Sequence, residues 1–298
     1  MYFRFEGVRV TIGGEDRVPG EIDTSKAHAA RVYDYMLGGT ANFKADREAA
    51  EHAFAAWPGG FDGVRADVRA NRALLGRMVR HLVGAGVRQF LDIGTGIPAQ
   101  GCVHEVALPL APEARVVYVD RDPVVLAHAH RLLMDVPAGA TSFVCDDARE
   151  TDRVIESASA TLDLGRPVAV LLFGVLHCMT AADDPAGVIR RIMAPLAPGS
   201  YLALTHLASD VAPEAVAESI ARIGPRMAEP VVLRSRKQVT ALFDGLDLKE
   251  PGVVQLPQWH PDPSAPPPGP LPLWCGLARK TGASAGPART GEPDPTAR

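Results

Sequence analysis

The sequence lacks a long uninterrupted run of apolar residues. Its longest apolar stretch, from Val168 to Val175, is far shorter than the roughly 18 to 20 residues that a membrane-spanning helix needs. Residues 1–9 also lack the apolar core of a signal peptide. We therefore expect a soluble cytoplasmic protein with no membrane partner.

Closely spaced cysteine pairs are also missing. The four cysteines, Cys102, Cys145, Cys178 and Cys275, lie far apart and form no CxxC pair. Disulfide-stabilised domains and most zinc sites use such pairs, so we expect reduced thiols and no bound metal.

An excess of positive charge is absent as well. The 31 lysines and arginines are outnumbered by 35 aspartates and glutamates, which gives a formal net charge of −4. Without a positive field the chain has little to attract a polyanion, and we expect no nucleic-acid partner. Apolar surface, in contrast, is plentiful: 47% of the 298 residues are hydrophobic and 22% are charged, which is enough for a sizeable core.

The first third of the chain has helical periodicity. Apolar residues follow helical spacing in three segments that glycine-containing turns separate, at 26–37, 44–57 and 62–83. We predict that residues 22–85 form a helical cap, and that Gly38-Gly39 gives it the flexible turn of a lid. Residues 1–21 are ambiguous and are assigned to an N-terminal tail.

From residue 86 onward the pattern changes to that of an α/β domain, which we place at 86–280. Short apolar runs alternate with amphipathic helical stretches, as in a parallel sheet with crossover helices. The predicted strands cover residues 89–93, 115–119, 141–145, 168–173, 199–205, 246–255 and 271–279.

The end of this domain has a different connection. A proline-rich loop leaves no room for a crossover helix between the last two strands, so we expect an antiparallel hairpin there. Residues 281–298, which contain no large apolar side chain, are predicted to be a disordered tail.

The most informative motif follows the first predicted strand. Gly94 and Gly96 open a strand-to-helix turn in which a backbone without Cβ atoms can approach a ligand closely. Asp92, two residues before the first glycine, would repel the pyrophosphate of a dinucleotide. It suits instead the amino group or the sulfonium charge of S-adenosylmethionine, although a tight turn without any ligand is also compatible with the motif.

Carboxylates follow the next two strands. Asp120 stands at the end of the second strand, 24 residues after Gly96, where it can accept two hydrogen bonds from ribose hydroxyls. Asp146 and Asp147 end the third strand, where a carboxylate can meet the exocyclic amine of adenine. Each of these aspartates is also a good helix cap, and that structural role stays open at this stage.

These motifs together resemble the class I S-adenosylmethionine-dependent methyltransferases. Over about residues 22–280 the chain more narrowly resembles a bacterial S-adenosyl methyltransferase family first catalogued as a domain of unknown function. The narrower resemblance is carried by the segments Ile22 to Lys26, Ala30 to Gly39, Asn42-Phe43, Asp46-Arg47, Arg166 to Leu172, Leu196 to Ala203 and Phe243 to Leu246. Ile97-Pro98 departs from the general methyltransferase pattern, in which a third glycine is common, but the narrower family tolerates proline there.

The resemblance implies a Rossmann-like, seven-stranded mixed sheet with helices on both faces, a C-terminal antiparallel hairpin and an N-terminal helical cap. S-adenosyl-L-methionine would lie over the first strand ends. The predicted cofactor-binding residues are Asp92, Gly94, Thr95, Gly96, Asp120, Arg121, Asp146, Asp147, Phe173, Tyr33 and Asn42. Tyr33 and Tyr35 cannot share one helix face, so at most one of them reaches a ligand.

His177 is the predicted catalytic residue. It closely follows the central strand, where the methyl acceptor is expected, and a histidine can take a proton from an oxygen or nitrogen acceptor. As a base it would make the rate rise with pH between about 5.5 and 7.5. A hydrogen-bonded structural histidine is the competing interpretation, both here and for His206 at the end of the next strand.

The sequence therefore predicts methyl transfer from S-adenosylmethionine to an unidentified, small-molecule acceptor. Two alternatives remain at this stage. One is a nicotinamide-dependent oxidoreductase, against which Asp92 argues, and the other is a protein that binds the cofactor without catalysis.

Overall fold

The computed structural model describes residues 2–5, 8–12, 23–133, 136–137, 139–261 and 271–282. The strands are β1 (Tyr2–Phe5), β2 (Val8–Ile12), β3 (Gln89–Ile93), β4 (Arg115–Asp120), β5 (Thr141–Cys145), β6 (Ala169–Phe173), β7 (Tyr201–Leu207), β8 (Asp247–Leu248), β9 (Val254–Gln255) and β10 (Leu273–Arg279). The α-helices are α1 (Ala29–Leu37), α2 (Lys44–Phe54), α3 (Gly60–Gly84), α4 (Val103–Ala107), α5 (Pro123–Leu133), α6 (Thr151–Ser159), α7 (Pro185–Met193), α8 (Pro213–Ile223) and α9 (Arg236–Ala241). Of the predicted disordered tail, residues 283–298 lie outside the described residues.

The strands form one mixed sheet in the order β1-β2-β5-β4-β3-β6-β7-β10-β8, and β9 also pairs with β10. Within this order, each pair of neighbours in the stretch β2-β5-β4-β3-β6-β7 is parallel, whereas β10 is antiparallel to β7, β8 and β9. The predicted Rossmann-like fold with a C-terminal antiparallel pair is confirmed. The predicted strand 246–255 is divided into β8 and β9, because Pro251 lacks a backbone donor and Gly252 has a φ of 79°.

Two strands, β1 and β2, lie within residues 1–21, which we had predicted to be an N-terminal tail. β2 pairs in parallel with β5, from Arg9 opposite Ser142 to Ile12 opposite Cys145, and β1 pairs antiparallel with β2. The sheet is therefore wider at this edge than the seven strands that the family resemblance implies.

The central strands are covered on both faces. On β3, Phe90 packs into one apolar cluster with α3, α4 and α5, whereas Leu91 and Ile93 pack into another with α6, α7 and α9. This alternation follows from the two-residue period of a strand, and both faces are apolar because both carry helices.

A third apolar cluster forms the helical cap. It joins α1, α2 and the first half of α3, and α8 from the second half of the chain packs into it through Val216 and Ile223. The second half of α3 packs into the apolar cluster on one face of the sheet, so this one helix connects the cap to the sheet. Among the described residues, no helix is long and apolar enough to cross a membrane.

Candidate functional site

The carboxyl ends of β3, β4, β5 and β6 open into one cavity of about 240 Å³ beneath the cap. Every predicted site residue except Asn42 lines it: Asp92, Gly94, Thr95, Gly96, Asp120, Arg121, Asp146, Asp147, Phe173, Tyr33 and His177. Strand ends of a parallel sheet face one edge, which explains why residues so far apart in sequence meet here.

The glycine loop is shaped by contacts within the protein. Gly94 and Gly96 have φ values of 72° and 66°, a region that favours glycine. A Cβ on Gly94 would lie 1.7 Å from Val175 Cγ2, so the close approach of the loop after β6 requires glycine at this position. The amide of Gly94 donates to the Val119 carbonyl oxygen at 2.7 Å, which fixes the loop against β4.

Asp92 is a buried residue, of whose surface only 5% is exposed. Burial raises its pKa to about 6, although the Arg72 guanidinium and the Thr95 hydroxyl oppose that shift. Arg72 lies on α3 and also lines the cavity, and no motif indicated its role. It donates to the carbonyl oxygens of Ala99 and Gln100, and so supports the loop that follows the glycines.

Asp120 ends β4 with both carboxylate oxygens engaged by the backbone. One accepts from the Gly96 amide at 2.8 Å and the other from the Asp122 amide at 3.0 Å. Burial raises the pKa of this carboxyl group, and those two hydrogen bonds oppose the rise. Each oxygen has a second lone pair, so the group can still accept hydrogen bonds from a ligand.

Asp146 and Asp147 belong to a set of ion pairs above β5. Arg153 binds Asp146 with two nitrogens, at 2.8 and 2.9 Å. Asp147 accepts from Arg121 and Arg149, each at 3.0 Å, and both arginines also pair with Glu229. Burial acts to raise the pKa of Asp147, but the hydrogen bonds and the two cations lower it below its usual value.

Arg149 and Glu229 were not predicted from the sequence. They come from the turn after β5 and from the segment after α8, and no motif connects them. Together with Arg121 they form one charged wall of the cavity.

His177 lies in the 3-10 helix Leu176–Cys178, close after β6, is half-buried and lines the cavity. Burial, together with His206 and Arg234, lowers its pKa to about 3. Its Nδ1 atom is buried without a hydrogen-bond partner. A pKa this low favours a neutral ring near pH 7 and does not favour the rise in rate that we predicted between about pH 5.5 and 7.5, which stays a prediction.

His206 has the structural role that the sequence left open. Its Nε2 accepts from Arg234 at 2.6 Å and its Nδ1 donates to the Leu207 carbonyl oxygen at 2.9 Å. Arg234 also donates to the carbonyl oxygens of Leu176 and Met179, each at 2.8 Å. This network fixes the two ends of the turn that carries His177.

The cap contributes Tyr33 to the cavity but not Asn42. The Tyr33 hydroxyl donates to the Val68 carbonyl oxygen at 3.0 Å, whereas Tyr35 lies outside the cavity and donates to Glu51. The Asn42 amide donates to Asp34 and to the Gly39 carbonyl oxygen instead, at 2.8 and 2.9 Å. Asn42 therefore does not line the cavity, because its side chain closes the turn after α1, and its predicted cofactor contact stays a prediction.

Two residues attach α1 to the strand end of β4. His28 Nδ1 lies 2.9 Å from Asp122 Oδ2, and Arg31 Nε lies 3.3 Å from the same oxygen. The pKa of Asp122 is lowered: burial acts against this shift, and His28 and Arg31 cause it. His28 also lines the cavity, so the attachment lies beside the predicted ribose position.

No group of three or more His, Cys, Asp or Glu side chains that could hold a metal ion occurs in the described part of the chain. The polar groups of the cavity instead match a nucleoside with a cationic tail. Carboxylates suit ribose hydroxyls and an amino group, and the positive-φ loop provides a close backbone surface.

Comparison with known proteins assigns the chain to a family. The model of a family described as S-adenosyl methyltransferase matches residues 15–281. None of the curated proteins compared with the chain matches it.

Two solved structures resemble the protein over most of their length. A DUF574 family protein from Streptomyces avermitilis shares 40% identity, with a TM-score of 0.81 and coverage of 87% of this chain and 100% of that one. A candidate methyltransferase from Thermobifida fusca shares 36% identity, with a TM-score of 0.79 and coverage of 89% and 98%. The chain therefore belongs to the S-adenosyl methyltransferase family, and its cofactor is S-adenosyl-L-methionine.

Proposed function

We propose that this protein transfers the methyl group of S-adenosylmethionine to a small-molecule acceptor bound between the sheet and the cap. The observation that carries the proposal is the shared cavity. One wall consists of strand-end carboxylates that suit the cofactor, and the opposite wall consists of apolar cap residues that suit an organic acceptor.

The strand-end residues are proposed to hold the cofactor. Asp120 would accept hydrogen bonds from the ribose hydroxyls, and Asp92 would face the positively charged tail. Arg121 and Phe173 would contact the adenosine part, and Asp147, already paired with Arg121, would keep that arginine in place.

Little covalent chemistry is needed from the protein. When bound, the cofactor supplies an electrophilic methyl group, and the electron pair of the breaking carbon–sulfur bond stays on sulfur. The cap excludes water and aligns the acceptor for in-line attack. The buried, unpartnered Nδ1 of His177 would orient the acceptor by accepting a hydrogen bond from it. Because the pKa of His177 is low, this group would not keep the proton that the acceptor loses, and that proton would pass to water as the product leaves.

The test uses S-adenosylmethionine with a trideuterated methyl group and a metabolite extract as the source of acceptors. The expected result is an enzyme-dependent gain of one labelled methyl group in the small-molecule fraction, detected by mass spectrometry. Label confined to protein or nucleic acid would contradict the acceptor class. Cofactor binding without any labelled product would favour a binding protein over an enzyme.

A further inference from the structure

One part of the cavity is lined by apolar residues of the cap helices. We define this cap arm by Met36, Phe54, Trp57, Val64, Val68 and Ile223, which all line the cavity. The members come from α1, α2, α3, α8 and the turn after α2, and all of them are buried. The arm is therefore closed on several sides by apolar side chains.

A carboxylate, Asp67 of α3, projects into these apolar surroundings. Its Oδ2 accepts from Trp57 Nε1 at 2.8 Å. Asp67 is half-buried, and no ion pair joins it to a cation within the described ranges. Asp120, Asp146 and Asp147, which also line the cavity, have an arginine or a backbone amide beside them. Burial raises the pKa of Asp67 to about 6, against the effect of the Trp57 hydrogen bond.

The tryptophan alone does not account for a charged residue here. A neutral amide side chain would satisfy the indole N–H equally well, without the cost of placing an unpaired anion in an apolar cavity. A ligand that brings a cation to this position would offset that cost. Trp57 and Phe54 also line the cavity, and a cation bound there would have aromatic neighbours.

We propose that the cap arm binds the methyl acceptor as an apolar molecule with a basic amine, which pairs with the Asp67 carboxylate. This inference rests on the proposed function, because it assumes that the cavity holds an acceptor. A protonated amine has no free electron pair, so the amine at Asp67 serves as the anchor. The atom that is methylated is then a second oxygen or nitrogen of the acceptor, nearer to His177 and the strand ends.

Two matched probes test the amine. Tryptamine and tryptophol share an indole ring with a two-carbon side chain, which ends in an ammonium group in tryptamine and in a hydroxyl group in tryptophol. Binding of each is measured by calorimetry in the presence of saturating S-adenosylhomocysteine, at about pH 8, where the Asp67 carboxyl group is ionised. The parent protein should bind tryptamine at least about tenfold more tightly, since charge-assisted hydrogen bonds are about twice as strong as neutral ones.

Three variants assign the preference to Asp67. Asp67→Asn should bind both probes about equally, Asp67→Glu should keep part of the preference, and Asp62→Asn, an exposed position on the same helix, should behave like the parent. Loss of the preference in Asp67→Asn, with its retention in Asp67→Glu, also shows that the cavity is still folded.

Equal binding of the two probes by the parent would overturn the proposal, and so would an undiminished preference in Asp67→Asn. If labelled methyl groups still reach small molecules in that case, the acceptor class is wrong and the proposed function stands. Failure of the parent to bind S-adenosylhomocysteine would instead contradict the proposed function itself.

Discussion

At the scale of single residues, His177 shows how burial changes a chemical role. Its position after the central strand suggested a base that titrates near neutral pH. Burial together with His206 and Arg234 lowers its pKa to about 3, which favours the neutral form near pH 7.

The first prediction is that the His177 imidazole does not titrate between about pH 5.5 and 7.5. The Cε1 proton signal, assigned by its loss in His177→Gln, is followed by NMR across that range. With an acceptor in hand, His177→Ala, which removes the hydrogen-bond-accepting ring, should keep cofactor affinity within about threefold and lower the rate by roughly tenfold. His128→Gln, an exposed histidine on α5, is the control. A titration midpoint near the ordinary histidine value would show that this side chain is exposed to water.

The second prediction concerns Asp67 and stability. The pKa of Asp67 is raised in the folded protein. Its contribution to the free energy of unfolding is therefore fully present below the pKa of 3.8 in the unfolded chain, and it is lost as the pH rises through about 6. Asp67→Asn should therefore gain stability relative to the parent between about pH 4 and pH 7, by on the order of 1 kcal/mol after allowance for partial exposure. Urea unfolding at both pH values measures this difference, and a constant difference would mean that Asp67 has an ordinary pKa.

At the scale of elements, the turn after α1 differs from the predicted flexible lid turn. Gly38 has a φ of 87° and its amide donates to the Tyr35 carbonyl oxygen, which is how helices commonly end. Asp34 then binds the amide of Ala41 and the side chain of Asn42, at 2.9 and 2.8 Å. The glycine pair therefore closes a hydrogen-bonded turn, and movement of the cap remains a proposal.

The third prediction is that Gly39→Ala destabilises the protein by about 1–3 kcal/mol, because the new Cβ would lie 2.1 Å from Asp34 Oδ1. Gly84→Ala is the matched control: it ends α3, where a Cβ meets nothing within 4 Å, and alanine favours a helix. Thermal unfolding of both variants measures the effect. If Gly39→Ala were as stable as the parent, the turn would be loose enough to rearrange, as a lid turn would be.

At the scale of the whole molecule, the central part of the fold was predictable and its margins were not. The bounds of β3 and β5 agree with the prediction, because each is a short, largely apolar or β-branched run bounded by turn residues. β2 was missed although Val8, Val10 and Ile12 alternate with polar residues, since a single short alternating run has no neighbour in the sequence to pair with. β5, its partner, begins more than 120 residues later.

The part of the candidate site that lies at the strand ends was also predictable from the sequence. Residues at strand ends follow from the sheet topology, and Asp92, Asp120 and Asp147 all line the cavity. Arg72, Glu229 and Asp67 were missed, because they lie on helices and loops whose approach to the cavity depends on how the cap packs. Long-range packing of that kind leaves no local pattern in one sequence.

The most direct test of the proposed site is calorimetric titration with S-adenosylhomocysteine. The parent should bind one molecule per chain and should not bind NADH, which is the ligand of the oxidoreductase alternative. Asp120→Ala should bind at least about tenfold more weakly, since two charge-assisted hydrogen bonds to ribose are each worth about 1.5–3 kcal/mol before compensation by water. Glu156→Ala, an exposed site on α6, should match the parent. Unchanged affinity in a folded Asp120→Ala protein would contradict the placement of the cofactor over the strand ends.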